Sequence, residues 1–505
     1  MSTVPAQPKV IVIGAGLGGL AVAARLAHLG FSVQVYEAQP GPGGKAGSQT
    51  WNGFRFDTGP SLLTLPEVFD ELFAACGRRR QDYFEIVPLD PICQYFFADG
   101  SRVAAPGTVA GFIDYFSALG WATRRELEAW FRHIKGIYLR AGPIFLKNGL
   151  DEFRTWFSWP GLHGLLGAPR LDALRSLDLA VRSHFQDPRL VQLFDRYATY
   201  NGSSPQRTPA TMGIIPHIEY AMGGWGVKTG IFGITTGLYQ LCLDLGVHFE
   251  FNSPVRKIVQ DRGRVRGIQT KNGRVEFADL LVSNADVLAT YQLLDDNQAA
   301  WSQKYRRLEP SSSGLVFYWG MNRTWSELDL HNIFFSNDYQ LEFKQIFELA
   351  QVPDQPTVYV NISSKITPSD APAGQENWFV LINVPANRGQ DWQREAVTVR
   401  QRILMRLETA LGGPVEAHIE MENILTPLDI EEQTGSSFGS LYGLASNTWN
   451  TAFGRHPARV RRHPGLYMVG GSIHPGGGMP LVLNSAAIAS AAISRDWAKW
   501  LQKRG

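Results

Sequence analysis

The sequence predicts an α/β fold: a discontinuous Rossmann-like nucleotide-binding domain, a mixed-sheet substrate domain and a helical subdomain. Three observations carry that expectation. Val10–Ile13 runs straight into Gly14-x-Gly16-x-x-Gly19, a strand, a tight turn and a helix N-terminus of the kind that cradles a pyrophosphate. Leu466–Val469 runs into Gly470-Gly471-Ser472-x-His474-Pro475-Gly476-Gly477-Gly478, a second strand that stops in glycines ahead of a helix. Between them the α/β pattern breaks off and returns. Two glycine motifs at opposite ends of 505 residues imply a nucleotide that is a permanent part of the fold, FAD rather than a diffusible nicotinamide.

The elements follow in order. Leu20–Leu29 has helical apolar spacing and ends at Gly30, and Phe31–Tyr36 alternates as a strand that terminates at Glu37. Tyr83–Pro106 reads as two strands around the Asp99-Gly100 turn. Residues 111 to 222 are mainly helical, with loop signals at Ser158–Gly161 and Asn201–Pro205. A helix through Leu243 and strands near Val247–Phe251, Val255–Val259, Val265–Gln269 and Leu280–Ser283 restore the α/β pattern. Strands near Leu315–Gly320, Thr357–Ile362 and Trp378–Val384 and a helix near Glu395–Leu411 complete the middle. The expected division is 1–80, 226–290 and 455–505 for the FAD domain, 81–110 and 291–454 for the substrate domain, and 111–225 for the helical subdomain.

Composition narrows the function. A net charge of +2 gives no whole-molecule case for nucleic acid. Cys76, Cys93 and Cys242 are odd in number and widely spaced, which predicts neither a disulfide framework nor a metal site and favours a reducing, cytoplasmic compartment. The residues before the first strand lack the basic start and apolar run of a signal peptide, and no stretch is long and apolar enough to span a bilayer. Membrane contact is expected to be peripheral. The stretch 130–170 suits it, with Trp130, Phe131, Tyr138, Phe145, Phe153, Trp156, Phe157 and Trp159 interleaved with Arg132, Lys135, Arg140, Lys147 and Arg154.

Around the cofactor, Gly14, Gly16 and Gly19 form the turn, and Glu37 stands where a carboxylate accepts hydrogen bonds from the adenosine ribose. Gly43-Gly44-Lys45 brings backbone and positive charge towards phosphate, followed by Phe56-Asp57-Thr58-Gly59-Pro60-Ser61. At the far end Gly471, Ser472, Gly478 and Met479 precede a small-residue helix, Ser485–Ile493, whose N-terminal backbone donors would face the flavin's pyrimidine end. His474, His217 and Glu219 are the side chains that could take part in proton transfer, and no obvious catalytic dyad accompanies them. For a hydroxyl-bearing substrate, Tyr200, Asn201, Ser203 and His217 are the candidate polar contacts.

These residues, with Leu89–Gly100, Ser283–Val287 and Tyr197–Pro205, resemble the bacterial carotenoid desaturases of the phytoene-desaturase type, within the amine-oxidase-like flavoprotein superfamily. Tyr197–Pro205 and Gly470–Pro480 look closer to the hydroxycarotenoid 3,4-desaturase branch. The resemblance implies non-covalent FAD, adenine contact by the Val255 backbone, a long linear carotenoid held in an apolar tunnel, and hydride transfer to flavin. It also implies peripheral membrane attachment and reoxidation by oxygen or a quinone. One segment departs from the family: Val227-Lys228-Thr229-Gly230-Ile231-Phe232-Gly233 replaces the usual Pro-Lys/Arg-Gly-Gly turn. Open alternatives are a phytoene desaturase acting on an unhydroxylated chain, an isomerase or saturase, and a non-catalytic isoprenoid-binding escort.

Overall fold

Val10 and Val12 are buried on one side of the first strand and Ile11 and Ile13 on the other, because that strand is central in a parallel sheet covered on both faces. The computed structural model describes residues 7–149 and 171–502. The sheet's order is Leu466–Met468, Leu280–Ser283, Lys9–Ile13, Ser32–Tyr36, His248–Glu250, and every pairing is parallel. One face packs on the helices Leu17–His28, Phe232–Asp244 and Met479–Gln502, all drawn into a single apolar cluster. The other packs on an antiparallel sheet of Val255–Asp261, Arg264–Thr270 and Val275–Phe277. This is the expected Rossmann-like layer, and its strands come from three separate parts of the chain.

A mixed seven-stranded sheet forms the second layer system, in the order Ile419–Leu425, Ser313–Met321, Glu376–Val384, Val358–Asn361, His331–Phe334, Cys93–Phe96, Arg102–Ala105. Its pairings are antiparallel except His331–Phe334 with Cys93–Phe96. Helix Trp392–Leu411 covers one face. The hairpin Ser48–Trp51/Phe54–Asp57 and a helical layer containing Val109–Ala118, Arg124–Phe145, Pro188–Asp195 and Ile214–Met222 lie on the other. The hairpin, His331–Phe334 and Ile419–Leu425 were not among the expected strands. The first and last carry polar residues at edges, and His331–Phe334 has four residues only.

The aromatic–basic stretch 130–170 divides in two. Trp130 and Phe131 are interior, packed with Phe112, Phe194 and Tyr220, so they form a core rather than a membrane-facing surface. Arg132 and Lys135 are exposed on the same helix, with Leu139 62% exposed beside them. Residues 150–170, including Phe153, Arg154, Trp156, Phe157, Trp159 and the expected Ser158–Gly161 loop, lie outside the described residues.

Candidate functional site: a cradle closed by both ends of the chain

The glycine turn is built by backbone contact. Gly14, at φ +94°, donates its N–H to Tyr36 O at 2.8 Å. A Cβ on Gly19 would stand 2.0 Å from Gly14 O, so only glycine lets helix Leu17–His28 start this close to the strand. Glu37, buried at the end of the second strand, accepts from Ala15 N at 2.6 Å and Gln39 N at 2.9 Å. Its own backbone pairs with Glu250 O at 2.9 Å and Ser253 N at 2.8 Å. That tie places Val255, the first residue of its strand, two positions beyond a partner of the acidic residue.

Two loops interlock beside the turn. Gly43 donates to Ala15 O at 2.9 Å and bridges Gly16, while Gly44 at φ +55° approaches Gly16 Cα. A Cβ on Gly59 would fall 1.8 Å from Lys45 O, which fixes Gly59 against the Gly43–Lys45 loop. Asp57 accepts from Ile231 N at 2.8 Å and Phe232 N at 3.0 Å and pairs with Arg55, so it caps helix Phe232–Asp244. The segment that departs from the family, Val227–Gly233, is thereby locked onto the Phe56–Ser61 segment. Lys45 follows on the same loop. Its ammonium donates to Ser436 Oγ at 2.8 Å and to the carbonyls of Ser440 and Leu441 at 2.9 Å each, holding a distant loop. Desolvation lowers its pKa to about 8, with Asp286 opposing.

The two ends of the chain meet at Asn284. A Cβ on Gly16 would come 2.7 Å from its Nδ2, one on Gly18 2.4 Å from its Oδ1, and one on Gly470 3.1 Å from its Oδ1. Ser472 Oγ accepts from Val287 N at 3.2 Å, and its carbonyl accepts from Tyr305 Oη at 2.9 Å. Arg455 fans into three carbonyls, Tyr442 at 2.9 Å, Gly471 at 3.2 Å and Leu444 at 2.9 Å. Neither Asn284 nor Arg455 was singled out from sequence. Asn284 did lie within a motif carrying the family resemblance, whereas Arg455 carried no signal. Gly478, at φ +102°, meets no atom within 4 Å of its Cβ position, and Met479 opens helix Met479–Gln502 directly behind it. This leaves a helix N-terminus facing open space at the mouth of the cradle.

Those features fit a flavin dinucleotide: N–H groups of a glycine turn at one helix start for pyrophosphate, a carboxylate beside the turn, and a second glycine-bounded helix start across the cleft. Six candidate side chains, Tyr200 among them, contact other parts of the protein. Glu219 is fully buried and binds Arg196 at 2.9 Å, Tyr197 Oη at 2.7 Å and Tyr200 Oη at 2.5 Å, which makes it the centre of an interior ion pair, as a buried carboxylate requires. Asn201 Nδ2 contacts Met212 Sδ at 3.1 Å, and Ser203 Oγ donates to Asn201 O and accepts from Ser446 N. His217 packs on the Tyr138 ring, its pKa lowered by burial and then by Lys135. His474 Nε2 stands 2.8 Å from Asn148 O, tying the C-terminal glycine loop to the end of helix Arg124–Phe145.

The chain belongs to the family of flavin-containing amine oxidoreductases, whose model matches residues 17–494. It is a flavin-dependent oxidoreductase, and FAD is its cofactor. Among curated proteins it is 41% identical to a 1-hydroxycarotenoid 3,4-desaturase of Flavobacterium sp. (strain P99-3), over 96% of this chain and 99% of that one. It is 36% identical to a zeta-carotene-forming phytoene desaturase of Myxococcus xanthus (97% and 94%) and 35% identical to a 4,4'-diapolycopene oxygenase of Methylomonas sp (97% and 98%). Among solved structures, a putrescine oxidase bound to putrescine has the same fold, with TM-score 0.63 and 14% identity over 98% of this chain and 99% of that one. An oxidoreductase from Methanosarcina mazei matches at TM-score 0.66 and 17% identity, over 96% and 100%. Among the described residues no helix is long and apolar enough to cross a membrane.

Proposed function

We propose that the protein is an FAD-dependent carotenoid desaturase that introduces C=C bonds into a linear, 1-hydroxylated acyclic carotenoid. The observation that carries this reading is end-to-end identity of 41% with a 1-hydroxycarotenoid 3,4-desaturase, on a fold whose two glycine motifs converge. The working division is the one drawn from sequence: 1–80, 226–290 and 455–505 around the cofactor, 81–110 and 291–454 around the substrate, 111–225 as the helical subdomain.

When bound, FAD supplies a two-electron acceptor for the hydride that leaves the chain. The glycine turn, Glu37, the loops at Gly44 and Gly59–Ser61, the Val255 backbone and Gly471–Met479 hold the cofactor. Leu62, Tyr200, Ile215, Tyr359 and Leu381 keep partial exposure between the helical layer and the seven-stranded sheet, and they offer the carotenoid an apolar cleft that excludes water. Loss of hydride leaves a cation delocalised over the polyene, which sheds a proton readily. A strong protein base is therefore unnecessary, consistent with Glu219 and His474 being held in other bonds.

The substrate is insoluble in water. Exposed Arg132, Lys135 and Leu139 support peripheral attachment to an anionic membrane. Oxygen or a quinone reoxidises the cofactor. The test is side-by-side incubation with phytoene and a 1-hydroxylated acyclic carotenoid. Desaturation lengthens the chromophore and removes two hydrogens per bond, with the hydroxylated chain preferred; failure to convert either chain overturns the reading. Relatives named as oxygenases make oxygen insertion the second reading, and a product heavier by oxygen would favour it.

A further inference from the structure

Arg455 carries a charge at the cradle that no carboxylate answers. It is 6% exposed, and its hydrogen-bond partners among the described residues are three carbonyls, Tyr442 O, Gly471 O and Leu444 O. Gly471 belongs to the C-terminal glycine motif. A Cβ on Gly476, in the same motif, would stand 3.2 Å from Arg455 Nε and 3.4 Å from its Cζ. The guanidinium therefore lies one backbone layer behind that loop. Among the described residues no Asp or Glu forms an ion pair with it. The titratable groups beside it are neutral: burial raises the Tyr305 pKa and lowers that of His456 to about 4. Lys45, the other buried cation here, differs because Asp286 acts on it. Burial lowers the Arg455 pKa, with Tyr305 opposing, yet a guanidinium stays charged in a protein. Carbonyl dipoles solvate that charge without cancelling it. The fold keeps a buried cation at a cost that a carboxylate would ordinarily offset.

We propose that Arg455 is a positioning residue that raises the reduction potential of the bound flavin through its unneutralised charge. The inference goes beyond the substrate reading and rests on the cofactor placement given with it, Gly471–Met479 against the flavin. Accepting a hydride adds two electrons and one proton, so a neutral oxidised ring becomes an anion when reduced. A fixed cation favours the anion over the neutral ring, and its reach is longer in a dry, low-dielectric interior than in water. Three carbonyls already hold the guanidinium in place, so the charge needs no reorganisation when the hydride arrives. The bond to Gly471 O adds a second path, because it polarises the peptide whose N–H belongs to Ser472. A higher potential makes the flavin a stronger acceptor for a hydride drawn from carbon.

The test needs no carotenoid. The midpoint potential of the bound flavin is measured against redox dyes for the wild-type holoenzyme, Arg455→Met and Arg455→Lys, with the Kd for FAD taken on the same samples. Arg455→Met keeps much of the bulk and removes the charge. Its two-electron reduction should be less favourable by about tenfold, a fall of about 30 mV. Arg455→Lys keeps the charge but loses the fan of bonds, and it should recover most of that fall. Weaker FAD binding in both variants at the wild-type potential would mean that the arginine only fastens the loop, which overturns the inference and leaves the placement standing. Unchanged Kd and unchanged potential in both would remove the placement as well. If Arg455→Met retains no flavin, the wild type decides: its potential should lie above that of free FAD, and a value at or below it overturns the inference. The desaturase reading is untouched by any of these results.

Discussion

At Glu37 one carboxylate does two jobs. It accepts the N–H groups of Ala15 and Gln39, ordering the turn, and each oxygen keeps capacity for a ribose hydroxyl. Glu37→Ala should therefore weaken FAD binding by about tenfold or more, read as flavin stoichiometry and Kd; an unchanged Kd would contradict the assignment. His456 makes a different prediction. Its Nδ1 bonds Pro457 O at 2.6 Å, its Nε2 meets Tyr291 Oη at 3.0 Å, and burial lowers its pKa to about 4. In acid the unfolded chain takes up a proton there from about pH 6.5 downward, whereas the folded chain does not until about 4, so this residue's contribution to stability falls across that window. The stability gap between wild type and His456→Gln, from urea unfolding at pH 7 and 4.5, should narrow in acid, and a constant gap would show ordinary titration. Glycine positions and Glu37 were legible in sequence because their motif spacing is local. Asn284 and Arg455 were not: their partners are brought to them only by the folded chain, and nothing near them in sequence marks that contact.

Among the elements, helix Phe232–Asp244 starts with no side-chain cap of its own, and Asp57 supplies one from the hairpin Ser48–Trp51/Phe54–Asp57. Asp57→Ala removes the cap and half of the bonding of Arg55, which keeps Asp370. The expected cost is about 2–4 kcal/mol in urea unfolding. A loss below about 0.5 kcal/mol, the range of ordinary surface substitutions, would show that the cap does not hold the loop. The opening strand–helix–strand unit and the strand Ser313–Met321 were readable because their apolar residues follow the period of the element or run unbroken through it. Ile419–Leu425 hid behind Glu420 and Glu422 on a sheet edge, and His331–Phe334 was too short to show a period.

Over the whole molecule, charge and apolar surface combine where helix Arg124–Phe145 leaves Arg132, Lys135 and Leu139 outside. Reversing Arg132, Lys135 and Arg140 to glutamate should lower co-sedimentation with anionic liposomes by about tenfold or more while sparing neutral ones. Equal sedimentation by the variant would remove this surface from the membrane reading. Trp130 and Phe131 misled because they share a helix with those cations but face inward.

The parallel sheet has a consequence in the cell. Its outer strand, Leu466–Met468, and the helix behind it, Met479–Gln502, emerge from the ribosome long after the strand Lys9–Ile13 that shares their sheet. A growing polypeptide thus holds only one side of the cofactor cradle for most of its translation, and the second glycine-bounded helix start arrives last.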